Sequence, residues 1–242
     1  MKFRSMLIEL AVFLVPAILF SQAENQPQTI SGPQPKIEVP ETSFDFGYAP
    51  SGHYLLHSYI LRNIGEDTLH IKRVRTTCGC TKSPLVKQVI APGDSTYVTL
   101  IFNSTRYYHK VRKAAYITSD DPQNPRVKID FTADMDTLAK PIIRSDPAAL
   151  DFGSKDDFKT EKSFHIIKDT KEKLDLTIVD YTKDVIKEIK IDKKWKKNKR
   201  EVTLTLSDDI NPQLFFKGSV TFEASDSLGT RITVPVRGGG AH

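Results

Sequence analysis

Cys78-Gly79-Cys80 holds the only two cysteines among 242 residues, and thiols one residue apart can do three kinds of chemistry. In an extended strand, residues i and i+2 face the same side with Cα atoms about 6.5–7 Å apart, near the upper limit for a disulfide. Gly79 lets the chain bend and close that distance, which makes Cys78 and Cys80 a disulfide candidate. A strained bridge of this kind is readily reduced, the property a thiol-redox pair needs. The same reach suits linear coordination of Cu(I) by two soft thiolates, so the pair is also the metal candidate and Cu(I) the cofactor to consider. Zinc fits less well, since it takes four ligands and His57 and His70 can approach only through the fold. The remaining reading is structural: two small side chains capping the end of a sheet, free or bridged.

Other reactive constellations are missing from the sequence. There is no Gly-x-Ser-x-Gly, no His-Glu-x-x-His and no phosphate-cradling glycine loop. No catalytic residue is therefore assigned, and a non-enzymatic protein is expected. Asp120-Asp121 and Asp208-Asp209 fall in turn-forming stretches, where carboxylates bonded to local backbone are commoner than calcium ligands. Asn103-Ser104-Thr105 matches a glycosylation acceptor.

The net charge of +5 is modest, and its density is local. Lys193, Lys194, Trp195, Lys196 and Lys197 crowd one stretch and form a candidate binding cluster for a polyanion or, through Trp195, a protein. Ile189 and Ile191 alternate with charges before it, and Val202, Leu204 and Leu206 alternate after it. That pattern favours a solvated hairpin tip between two strands, with Trp195 folded back over the sheet.

The elements that must position these residues start with a leader. Lys2 and Arg4 precede a mostly apolar run over residues 6–20, and Ser21-Gln22-Ala23 offers the small residues of a cleavage site. A signal peptide over residues 1–23, cleaved after Ala23, sends the chain to the periplasm or outside the cell. Glu9 and Pro16 interrupt the run, which is shorter than the roughly 20 residues of a membrane span. No later run reaches that length, so no transmembrane span is expected in the mature chain and nucleic acid is not an expected partner. Residues 24–35, rich in Gln, Pro and Ser, read as a flexible linker.

Beyond the linker the sequence echoes itself. Phe44-Asp45-Phe46-Gly47 returns as Leu150-Asp151-Phe152-Gly153, and Val98-Thr99-Leu100 as Val202-Thr203-Leu204. Ser119-Asp120 returns as Ser225-Asp226. Anchors in the same order at nearly constant spacing predict two copies of one domain, over residues 36–136 and 140–238. Each reads as short strands: 54–62, 97–102, 114–118 and 127–131 are apolar or alternating, separated by Asn63-Ile64-Gly65, Pro92-Gly93 and Asp120-Asp121-Pro122. The expected fold is all-β, two tandem Ig-like antiparallel β-sandwiches. Phe44 and Phe46 share one strand face and enter the core together. Gly47, Gly65 and Gly93 suit turns with unusual backbone angles.

Phe46-Gly47, Asn63-Ile64-Gly65, Cys78-Gly79-Cys80-Thr81, Pro92-Gly93 and the closing Ser119-Asp120-Asp121 occur in the order seen in a known family. Residues 36–135 resemble the bacterial domain of unknown function 1573, an Ig-like module similar to ASPM/SPD-2/Hydin and PapD-like domains. The second domain keeps the Asp-Phe-Gly opening but lacks the Asn-x-Gly turn and the Cys-Gly-Cys. The resemblance implies the fold and no catalytic residue. An exported binding or scaffolding protein follows, meeting another exported protein through loops or a sheet edge. The alternative is a thiol-redox or Cu(I)-handling protein centred on Cys78 and Cys80.

Overall fold

A computed structural model of the protein describes residues 32–135, 138 and 140–240. The leader at residues 1–23, its cleavage point and residues 24–31 of the linker lie outside the described residues.

The apolar alternation resolves into strands. The first half contains β1 (Ile37–Glu38), β2 (Ser43–Tyr48), β3 (Tyr54–Asn63), β4 (Leu69–Thr76), β5 (Thr81–Lys82), β6 (Val89–Ile90), β7 (Ser95–Asn103), β8 (Lys110–Ser119) and β9 (Arg126–Asp134). The second contains β10 (Ile143–Asp146), β11 (Leu150–Asp151), β12 (Glu161–Lys168), β13 (Leu176–Tyr181), β14 (Ile186–Ile191), β15 (Lys199–Leu206), β16 (Phe216–Ala224) and β17 (Arg231–Gly238). A single 3₁₀ turn at Lys155–Asp157 is the one helical element among the described residues.

In β7, Val98, Leu100 and Phe102 are fully buried while Tyr97, Thr99 and Ile101 face outward, the period-2 pattern of a strand with one wet face. β15 repeats it with Val202, Leu204 and Leu206. Two four-stranded sheets result, in the orders β1-β3-β7-β5 and β10-β12-β15-β14. A nine-stranded sheet, β13-β16-β17-β2-β9-β8-β4-β6 with β11 beside β17, contributes to both cores. One core gathers Phe44, Phe46, Tyr59, Phe102 and Phe131; the other gathers Phe152, Phe164, Phe222, Leu204 and Val234.

The two Asp-Phe-Gly openings take one geometry. The Gly47 amide donates to Asp45 Oδ1 at 3.0 Å, and the Gly153 amide donates to Asp151 Oδ1 at the same distance. Phe46 and Phe152 are both fully buried. Each opening strand pairs in parallel with the closing strand of its own half, β2 with β9 and β11 with β17. Within each half the other pairings are antiparallel. In mid-strand, Ser58 Oγ meets Thr99 Oγ1 and Ser163 Oγ meets Thr203 Oγ1, each at 2.8 Å.

The two sandwiches are not beads on a string. The described residues from Pro33 onward form one compact unit, because β17 pairs in parallel with β2 at Ile232 and Tyr48 and carries the large sheet across the junction. Thr233 Oγ1 donates to the Phe46 carbonyl at 2.6 Å, and the Leu56 amide donates to Ser219 Oγ at 3.0 Å. His57, buried under the stacked ring of Phe44 at 3.8 Å, places Nδ1 2.6 Å from Asp180 Oδ2. Glu41 lies 3.3 Å from Nε2, within ion-pair range but without hydrogen-bond geometry. Both edges of β2 are thereby used, which removes an exposed strand edge from each half.

Candidate functional site

β4 ends at Thr76, and a tight loop carries the chain across to β5. Thr76 Oγ1 donates to the Cys78 carbonyl at 3.0 Å, and the Asn103 amide donates to the Cys80 carbonyl at 2.9 Å. Between these anchors Cys78 and Cys80 form a disulfide with Cα atoms 5.3 Å apart. The buried Thr81 hydroxyl lies 3.5 Å from Cys78 Sγ and 3.7 Å from Cys80 Sγ. Cys80 packs against the first core. Joined in this way the sulfurs present no thiolate, and Cu(I) coordination requires the reduced pair. Among the described residues no group of three or more His, Cys, Asp or Glu is arranged to hold a metal ion.

The disulfide loop forms one wall of an open groove of about 530 Å³ on the outer face of the β1-β3-β7-β5 sheet. Register explains its shape. Lys82 lies opposite Ile101, and Tyr54 lies opposite Asn103, so Ile101 and Asn103 make the floor between Lys82 on one side and Tyr54 on the other. The turn after β7 closes the end with Arg106 and Tyr107, whose amide donates to the Ser104 carbonyl at 3.0 Å. Ser104 is fully buried and Asn103 Oδ1 accepts from Thr105 at 3.1 and 2.6 Å, so the glycosylation-like triplet is folded into this turn.

The charges around the groove are unbalanced. Its lining contains Lys82 and Arg106 and no carboxylate. Lys217, from β16 of the second sandwich, holds its ammonium 4.1 Å above the Tyr54 ring. Burial, and next the charge of Lys82, push the Lys217 ammonium below the usual lysine range. Several cations elsewhere are matched: Arg112 and Lys128 meet Asp130, Arg231 meets Glu223, and Arg237 meets Asp151.

The family-motif residues are structural joints. The buried Asn63 donates from Nδ2 to the carbonyls of Asp67 and Ile90 at 2.8 and 2.9 Å, and its Oδ1 accepts the Gly65 amide at 3.0 Å. Pro92-Gly93 turns the chain with Gly93 at φ +76° and the Asp94 amide donating to Ala91. Gly47 has φ +63°, but Gly65 does not occupy the left-handed region. Its constraint is space, since a Cβ there would lie 2.3 Å from the Gln34 carbonyl oxygen. Gly79 has open space around it. Asp121 is consumed by the amides of Ile37, Gln123 and Asn124, and Asp120 by His70.

The basic cluster lies at the tip of the β14–β15 hairpin, where Lys197 and Asn198 adopt positive φ and Lys196 bridges to Lys199. Lys193, Lys194, Lys196 and Lys197 are exposed. Trp195 instead donates from Nε1 to the Leu174 carbonyl at 2.7 Å and packs on the second core, flanked by Lys168 and Arg200 at 5.5 Å each. The tip and the groove belong to different sheets, so the two sequence-derived candidates are not brought together. Tyr54, Lys82, Arg106, Tyr107 and Lys217 carried no signal in the sequence, because strand register alone assembles them.

No curated protein matches the sequence. Among solved structures the chain is similar to a protein of unknown function from Porphyromonas gingivalis W83, at 22% identity over 46% of this chain and 51% of that one, with a TM-score of 0.40. It thus spans about half the length of that protein. It is also similar to the ASH/PapD-like domain 7 of human CEP192, at 10% identity over 56% of this chain and 100% of that one, TM-score 0.36. A third likeness is to the YadV chaperone, at 12% identity over 83% and 98% of the two chains, TM-score 0.32. Residues 37–135, the first sandwich with its Cys-Gly-Cys loop, match the family described as a protein of unknown function (DUF1573).

Proposed function

We propose that this is an exported, non-enzymatic binding protein that receives a segment of another exported protein in the groove between the Cys78–Cys80 loop and Tyr54. The observation that carries this reading is the groove itself: about 530 Å³, lined by Ile101, Tyr54 and Tyr107 around a space that no side chain fills among the described residues. Aromatic rings with a polar end are favoured where one protein meets another. The disulfide serves as a brace that fixes the β5 wall, and such bonds persist in oxidising compartments outside the cytosol. Lys2, Arg4 and the apolar run behind them support the export.

A photoreactive amino acid at Asn103, in cells that make the protein, tests the reading against a control at Glu188 on β14. A discrete protein crosslinked from position 103 and not from 188 is expected. Equal capture from both positions, or none from 103, overturns it.

A further inference from the structure

We infer that the groove recognises carboxylates: its occupant is an acidic stretch of polypeptide, held between Lys82, Arg106 and Lys217 with its backbone and apolar side chains over Ile101, Tyr54 and Tyr107. This rests on the groove being the binding site and names the chemistry of what enters it.

Three observations converge. No carboxylate lines the groove, and among the described residues none pairs with Lys82, Arg106 or Lys217. Other cations of the protein do have carboxylate partners, Lys87 with Asp94, Arg112 with Asp130 and Lys187 with Asp208. Lys217 is also drawn out of water onto the Tyr54 ring beside a second lysine, an arrangement that costs free energy in the unliganded protein. An incoming carboxylate reverses the sign of that cost, since opposite charge at close range stabilises the ammonium that burial and Lys82 disfavour. The groove's lining comes from the first sandwich alone, and the second sandwich adds Lys217 beside it, over the Tyr54 ring.

A peptide is favoured over a polyphosphate or sulfated glycan by the floor. Ile101 and two tyrosine rings offer apolar contact that a purely anionic polymer has no groups to use. The exposed lysines of the hairpin tip supply an internal control, since the pocket beside them already holds the carboxylates of Asp192 and Glu201.

Fluorescence anisotropy with a labelled acetyl-(Glu-Tyr)₃-amide peptide tests the inference on the full mature chain. Binding is expected to weaken about tenfold, or about 1.4 kcal/mol, for the (Gln-Tyr)₃ peptide and equally for the Lys82→Gln/Lys217→Gln variant. It should also fall with added salt. Lys193→Gln/Lys194→Gln should bind as the parent does, and unchanged thermal melting should accompany both variants. Equal affinity for the Gln peptide, loss of binding in the hairpin variant to the same degree, no binding of the Glu peptide, or stronger binding of dextran sulfate than of the Glu peptide each overturns it. If the crosslink from position 103 persists at full yield in Lys82→Gln/Lys217→Gln, the binding role stands and the carboxylate chemistry fails. If that crosslink is absent from the parent protein, the binding role itself fails.

Discussion

The Leu56 amide donates to Ser219 Oγ at 3.0 Å, and the same hydroxyl donates to the Leu56 carbonyl at 3.1 Å. One side chain of the second sandwich thus does for β3 what a neighbouring strand does, at a part of its edge that β1, paired only at Arg62 and Asn63, leaves uncovered. Ser219 is buried, so water is not available to replace it. Ser219→Ala should therefore cost about 1–3 kcal/mol, the penalty for unsatisfied buried backbone groups. Urea denaturation measures the loss, and hydrogen exchange at Leu56 should quicken in the variant. An unchanged midpoint would show that the clasp contributes nothing.

Gly47 and Gly93 both hold positive φ, but they differ in surroundings. A Cβ on Gly47 would lie 2.2 Å from the Arg231 carbonyl oxygen, where β2 meets β17; a Cβ on Gly93 meets nothing within 4 Å. Gly93→Ala should cost only the backbone strain of about 1–2 kcal/mol. Gly47→Ala should cost more, because the clash is with main chain that cannot rotate away. Paired thermal melts check the ordering, and equal losses would contradict the account of the junction.

Asp130 receives Arg112 Nη2 at 2.8 Å, Ser43 Oγ at 2.9 Å and Lys128 Nζ at 3.0 Å. Burial pushes its carboxyl up, yet the bonds from Arg112, Lys128 and Ser43 outweigh burial and hold it below the usual carboxylate range. A depressed carboxyl stabilises the fold above its unfolded pKa of about 4, and that contribution is lost as the pH falls through the lower folded value. Asp130→Asn should be less stable at pH 7 by about 1–3 kcal/mol. It should then lose less than the parent between about pH 5 and 2. Urea midpoints across that range decide it, and parallel curves would remove Asp130 as the cause.

The Cys78–Cys80 ring has a sequence separation of 2, so its closure entropy is small, roughly 1.5 kcal/mol. Cys78→Ser/Cys80→Ser should lower stability by about that amount while leaving both cores folded, and should weaken capture of the (Glu-Tyr)₃ peptide as the β5 wall loosens. A variant that binds as tightly as the parent would show that the bridge does not brace the groove.

Strand after strand is legible in the sequence, because period-2 burial is written into residues such as Val98-Thr99-Leu100 and Val202-Thr203-Leu204. The hairpin tip followed from the alternation flanking Lys193–Lys197, and the cysteine loop from its spacing. Local chemistry of this kind depends on neighbours along the chain, and the sequence displays those neighbours directly. The seam and the groove do not work that way. Leu56 and Ser219, Phe46 and Thr233, His57 and Asp180, Tyr54 and Lys217 are each more than a hundred residues apart, and a serine or lysine on a strand looks alike whether it meets water or another sheet. What the sequence by itself determined was the all-β class, the order of turns and the position of the thiols. What only the tertiary structure decided was that two cores share one sheet and that Lys82 and Arg106 line one groove with Lys217 beside it, because long-range register, not local propensity, chooses which faces meet.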